Sequence, residues 1–204
     1  PAEFLPVVTR TGTMRQLTGY GLGRAIAQAG RWKRDGLPLR VAVNLSVADL
    51  LDEALPDEIS QMLMRHRVEG QALQLEVTEN VFMTAPERVA EVIARLGRHG
   101  VTLSLDDFGA GYSSLAHLRR LDVDELKIDR SFVTNTGTNA FDTAVVRSTV
   151  GLGHSLSLRV VAEGVESEAT FDELRDYGCD EAQGYFIHPP VPARFVALGM
   201  AVGV

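Results

Sequence analysis

From Met14 to Trp32 apolar residues recur at Leu17, Tyr20, Leu22, Ile26, Ala29 and Trp32, and the stripe stops before Asp35-Gly36. That spacing predicts a helix. Val41-Ala42-Val43-Asn44-Leu45 follows, a short β-branched run between turn residues that reads as a strand, and then a helical stretch at about Pro56 to Arg67. The alternation repeats to the end of the chain. Strands are expected at Leu73–Val77, Val101–Asp106, Glu125–Ile128 and Leu158–Ala162, with a short one near Glu181–Ala182. Helices are expected at Pro86–Arg98, Ser113–Arg120, Asn139–Ser155, Glu168–Asp176 and Ala193–Leu198. Strands separated by helices imply a parallel sheet.

An open doubly wound sheet and a TIM-like (β/α) barrel both fit six strand units, and the polar residues separate them. Asn44, Glu76, Asp106, Lys127, Glu163 and Gln183 each fall at or just past the C-terminal end of an expected strand. In a closed barrel all strand ends converge on one face, whereas the outer strands of an open sheet end too far apart to cooperate. The barrel is therefore the expected fold. Such a barrel has eight units, so about two strands are expected upstream of Pro1, and residues 1–204 read as one partial domain. The opening Pro-Ala-Glu-Phe, which lacks an initiating Met, agrees with that expectation.

Composition narrows the function classes. With 20 Lys plus Arg against 27 Asp plus Glu, the net charge of −7 offers no broad basic field for a DNA duplex or an anionic membrane. A phosphate ligand must then be held by a local site that supplies cations. No apolar run approaches the roughly 20 residues of a membrane helix, and no leader pattern is present. The single Cys179, read as a buried small residue, suits a reducing compartment. The expected location is the cytoplasm, or the cytoplasmic part of a membrane-bound sensor.

The chemistry concentrates in a few strings. Asp106-Asp107-Phe108-Gly109-Ala110-Gly111-Tyr112-Ser113-Ser114 ends an apolar strand in adjacent carboxylates before a glycine-rich turn, an arrangement that can reach two hard cations. Taken alone it is equally a turn with a helix cap. Its neighbours favour metal: Glu76 sits inside the β-type run Leu75-Glu76-Val77-Thr78-Glu79, where an unpartnered carboxylate is costly, and the amide of Asn44 is a neutral oxygen ligand. Lys127 and Asp129 in Leu126-Lys127-Ile128-Asp129 share a strand face, and pointing them inward leaves the lysine able to orient a water or stabilise charge on a phosphate oxygen. Glu163 and Glu166 flank a glycine turn, and Gln183-Gly184-Tyr185 adds an amide at the last strand.

The ordered strings VAVNLS, LEVTE, SLDDFGAGYSSL, DELKIDRSFV, VVAEGVE and QGY, preceded by PAEFLP, resemble the signature set of the EAL domains, bacterial phosphodiesterases that linearise cyclic di-GMP. The likeness runs from Pro1 to about Pro192. It implies a barrel with one early antiparallel strand, two Mg²⁺ or Mn²⁺ ions, inhibition by Ca²⁺, and water attack on one phosphodiester to leave pGpG. By motif, Asn44, Glu76, Asp106 and Asp107 resemble the metal ligands, Glu163 lies near the metals or the attacking water, and Lys127 polarises that water. Asp129, Glu166, Gln183 and Ser46 would support the site and the substrate. Glu79 resembles a glutamate that braces the loop after the Asp pair, so Asp107–Ser114 reads as a loop linking metal binding to dimer contacts. A homodimer with attached sensor or cyclase domains is the implied assembly.

Departures from the family pattern are informative. Glu53-Ala54-Leu55 matches the family's naming tripeptide but follows VAVNLS instead of preceding PAEFLP, so it reads as helix surface, and the true motif belongs upstream of Pro1. Thr9 and Arg10 stand where an acidic pair is usual, and His188-Pro189-Pro190 replaces Ser-Lys-Pro. Three functions remain open: a cyclic di-GMP phosphodiesterase, a module that binds the dinucleotide without cleaving it, and an interaction domain. The near-complete ligand set favours the enzyme. Without its first strands, the 204-residue chain alone is expected to turn over little substrate.

Overall fold

A computed structural model describes residues 8, 10–79, 81, 84–110 and 122–196. The helix expected at Ser113–Arg120 lies outside the described residues, as does the end of the one expected at Ala193–Leu198. The chain divides into two compact units, Pro1–Leu103 with Ala116–Asp122, and Ser104–Leu115 with Val123–Val204.

In the first unit, α1 (Met14–Arg34) precedes β1 (Val41–Asn44), a short α2 (Val47–Leu50), α3 (Leu55–His66), β2 (Leu73–Thr78) and α4 (Pro86–Arg98). β1 pairs with β2 in parallel, Val41 opposite Leu73 through Asn44 opposite Glu76. α1 buries Thr18, Leu22, Ile26 and Ala29, and its last turn carries Arg31, Lys33 and Arg34, cations that suit the negative end of the helix dipole. Tyr20, expected on the buried stripe, is 66% exposed. The face set by positions 22, 26 and 29 runs back through Thr18, and Tyr20 falls off it. Thr18 is admitted because its hydroxyl donates to Asp49 Oδ2 at 3.0 Å.

Glu53 and Ala54 form a turn ahead of α3, and Leu55 is its first, fully buried residue. Glu53 and Ala54 are thus on the surface as expected, though in the turn and not in the helix, and Leu55 is not; Glu53 pairs with Arg88 at 3.2 Å. Met64 on α3 is exposed.

β3 (Thr102–Phe108) begins in the first unit and finishes in the second. The second unit continues with β4 (Glu125–Ile128), α5 (Arg130–Val133), α6 (Ala140–Ser155), β5 (Arg159–Glu163), α7 (Glu168–Asp176) and β6 (Glu181–Gln183). β3, β4, β5 and β6 pair in chain order, all parallel. α6 is capped by Asn139, whose side chain accepts from the Phe141 and Asp142 amides. The core joins Ile128, Val146, Val150, Val160, Ala162 and Leu174, with Phe132 and Phe171 against it. All four residues of β4 are buried, Glu125 included. Glu125 accepts from Ser104 Oγ at 2.9 Å and pairs with Arg159 at 3.2 Å, which offsets its desolvation. Cys179 is half-buried, not enclosed; burial pushes its thiol up to about 11, so it is unreactive near neutrality.

Among the described residues no helix is long and apolar enough to cross a membrane. Short α2 and α5 were not expected from the sequence; at four residues each they are too brief to show a period.

Candidate active site at the strand exits

The carboxylates are placed by an irregularity in β3. Ser104 stands opposite Glu125 and Leu105 opposite Leu126, but the register then slips so that Phe108 faces Ile128. β3 thus carries one more residue than β4 over this interval, a bulge, and Asp107 within it has φ +56°, in the left-handed region. Adjacent side chains of a regular strand point to opposite faces. The bulge cancels that alternation, and Asp106, Asp107 and Glu163 each bring a carboxylate oxygen within 4.8 Å of the others. Aspartate is among the few non-glycine residues that accept this backbone conformation readily.

Lys127 lies between two of these groups. Its Nζ is 2.5 Å from Glu163 Oε1 and 3.2 Å from Asp106 Oδ1, and its side chain is 6% exposed. The lysine therefore points inward, as expected from its strand. Asp129 has left the strand and caps α5: the Ser131 amide donates to its Oδ1 at 2.9 Å, and the Ser131 hydroxyl donates to the same oxygen. Burial works against its charged form, yet the Ser131 hydrogen bonds and a bond from Asp107 hold its carboxyl below the usual range. Asp107 is the complement. Burial, then the Asp106 charge, the hydrogen bond with Asp129 and the Glu163 charge push its carboxyl up to about 6. The two carboxyls are thus driven in opposite directions, as happens when interacting acids titrate together.

A folded-state pKa raised from 3.8 to about 6 means that Asp107 weakens the metal-free fold as pH rises through that window, with the full effect above about 6. Asp107→Asn keeps a left-handed-tolerant residue and a donor for Asp129. It is expected to raise the metal-free unfolding free energy at pH 8 by about 1 kcal/mol, a value discounted for solvent screening of this exposed group, with a smaller gain at pH 5. Denaturant titration in EDTA at the two pH values measures this; equal gains would remove the ionisation account.

In the first unit Asn44 and Glu76 stand opposite each other, and Asn44 Nδ2 donates to the largely buried Glu76 Oε2 at 3.0 Å. Ser46, expected to support the site, instead forms a capping box: its amide and hydroxyl donate to Asp49 Oδ2, and the Asp49 amide donates to Ser46 Oγ. Asp49, fully buried, was not singled out in the sequence, although Ser-x-x-Asp is a legible capping pattern. Glu79 follows β2 and is half-buried, but half of the loop it was expected to brace, 111–114, lies outside the described residues. In the second unit Gln183 faces Glu163 across β5 and β6 and is exposed. Glu166 is outside the carboxylate cluster and makes an exposed pair with Arg130 at 3.5 Å. His188 is an exposed loop residue.

The donor set fits a hard divalent cation. Its members are carboxylate oxygens, their ligand atoms already converge, and Asp107 is protonation-prone because burial and then the neighbouring Asp106, Asp129 and Glu163 disfavour its charge.

Comparison with known proteins gives a consistent result. The EAL domain family model matches residues 1–190. The chain is 37% identical over 191 residues to the cyclic di-GMP phosphodiesterase PA2567 of Pseudomonas aeruginosa, covering 94% of this chain and 32% of that protein. It is 39% identical over 202 residues to the bifunctional diguanylate cyclase/cyclic di-GMP phosphodiesterase MucR of the same organism, covering 98% of this chain and 30% of that one. The chain thus spans under a third of the length of these relatives. A structure of the MucR phosphodiesterase in complex with cyclic di-GMP superposes with a TM-score of 0.90 at 39% identity, covering 95% of this chain and 79% of that one. The EAL domain of Mycobacterium smegmatis DcpA gives 0.86 at 32% identity, covering 92% and 84%. The fold class is that of the TIM-like α/β barrels.

Proposed function

The chain belongs to the EAL domain family, and on that premise we propose that the protein hydrolyses one phosphodiester bond of cyclic di-GMP, leaving pGpG, with Mg²⁺ or Mn²⁺ at the strand exits. The observation that carries this reading is the convergence of the Asp106, Asp107 and Glu163 carboxylates, two of which, Asp106 and Glu163, pair with the buried ammonium of Lys127.

Asp106, Asp107 and Glu163 would hold a cation, and Asn44 and Glu76 of the first unit are assigned a metal-binding role by their motifs. A pair of such ions, when bound, supplies a water of lowered pKa and stabilises charge on the attacked phosphodiester. The chain's own contribution is orientation. Lys127 fixes a positive charge between Asp106 and Glu163, where it steers an attacking water and draws in an anionic substrate that the net charge of −7 otherwise repels. Glu163, held by Lys127, is placed to accept the water's proton. Asp129 holds Asp107 through their hydrogen bond, while Gln183 and Glu166 flank the exit of β5 on the substrate side. The relatives are multidomain in length, and we place this domain in a larger, homodimeric, cytoplasmic signalling protein.

Full-length protein incubated with cyclic di-GMP is expected to form pGpG in Mg²⁺ or Mn²⁺ and little in Ca²⁺, which is larger and less strict in geometry. Chromatography of the products decides. Binding of the dinucleotide without turnover overturns the enzyme reading in favour of a receptor, and undiminished turnover in Ca²⁺ or EDTA overturns the metal assignment.

A further inference from the structure

Gly164 follows Glu163 directly and has φ +72°. A Cβ built on it would lie 2.6 Å from Arg130 Cβ, closer than side-chain carbons approach, and 3.4 Å from Arg130 Cα, in van der Waals contact. Arg130 itself directly follows Asp129, at the exit of β4. The chain leaving β5 therefore passes against the stem of Arg130, and no other residue type at 164 permits that approach. Two residues later Glu166 reaches Arg130 again, through the ion pair at 3.5 Å. The next exit is packed the same way. A Cβ on Gly184 would meet Val165 O at 2.0 Å and Val165 N at 2.3 Å. The backbones there are tied by Val165 N donating to Gln183 O and Phe186 N donating to Val165 O, both at 3.0 Å.

The exits of β4, β5 and β6 are thus in backbone contact, with a glycine at each crossing. We propose that Gly164 is a positioning residue for the reaction: its missing side chain lets the β5 exit seat against Arg130, and that seat fixes Glu163 on Lys127. The 2.5 Å contact between Lys127 and Glu163 depends on where the Cα of Glu163 stands, and Gly164 and Arg130 set that position from outside the carboxylate cluster. The turnover arm of the test rests on the hydrolysis reading above; the denaturation arm does not.

In full-length protein, Gly164→Ala is expected to lower kcat for cyclic di-GMP about 100-fold with KM nearly unchanged, as for a small misplacement of a reacting group. Arg130→Gly, which removes the opposing Cβ, is expected to recover about tenfold of that loss in the double variant, and Arg130→Ala, which keeps the Cβ but not the charge, is not. In metal-free denaturation, the midpoint drop caused by Lys127→Met is expected to shrink to about half in the Gly164→Ala background, because the ion pair is already loosened there. Equal losses in the two Arg130 backgrounds, or additive midpoint drops, overturn the proposal. If wild-type protein shows no hydrolysis, the function reading fails and the denaturation cycle alone decides this one. If Gly164→Ala does not fold, folding of the Arg130→Gly double variant supports the contact, and failure of both overturns it.

Discussion

Asp106→Ala is expected to lose about 10³-fold in kcat/KM for cyclic di-GMP and to lose Mn²⁺ affinity in step. The carboxylate is a member of the converging triad, and at 14% side-chain exposure it is shielded from water that could replace it as a ligand. The same change removes a charge that pushes Asp107 upward, so relief of that repulsion is not expected to make the metal-free variant less stable than the wild type at pH 8. Steady-state kinetics with Mn²⁺ titration by calorimetry measures both quantities. A variant that binds Mn²⁺ as tightly as the wild type would show that Asp106 is not a ligand.

Lys127→Met should give the contrasting pattern. Its volume and stem are retained, but two largely buried carboxylates lose their cation, and removing one partner of a buried pair is far more damaging than never having built it. We expect the metal-free protein to lose about 3 kcal/mol of stability and turnover to fall about 10²-fold or more. Mn²⁺ affinity is expected to be retained or to rise, because the site becomes more negative. Turnover lost with affinity kept assigns Lys127 to water and phosphate; both lost together would make it only a brace. Denaturant midpoints with and without Mn²⁺, beside kinetics, separate the two.

Much of this was legible from the chain. The periods of α1, α3, α4, α6 and α7 and all six strands were readable because each is long enough to show a period or is bounded by turn residues. The inward lysine followed from parity with its apolar neighbours in β4. The finer placement was not legible. That Asp106 and Asp107 act together depends on a register slip between β3 and β4, and a slip is a relation between two strands that no single run of residues records. Asp129 was expected on the inner face by parity with Lys127; it stands just past the strand end, where it caps α5 through Ser131 and still bonds Asp107 of the cluster. Ser46 turned out to be occupied with Asp49, since a short-range capping bond was available three residues on in the same segment. Glu166 and Arg130 meet across 36 positions, and nothing in either motif points to the other.

The left-handed backbone at Asp107 also has a genetic meaning. An aspartate codon becomes an asparagine or a glycine codon by one base change, and these are the residues that tolerate such a conformation best. Mutation at this codon can therefore strip a charged oxygen from the cluster while leaving the chain able to fold. Selection for folding alone thus guards this carboxylate weakly, and on the proposed hydrolysis a single nucleotide change would separate an active domain from a silent one.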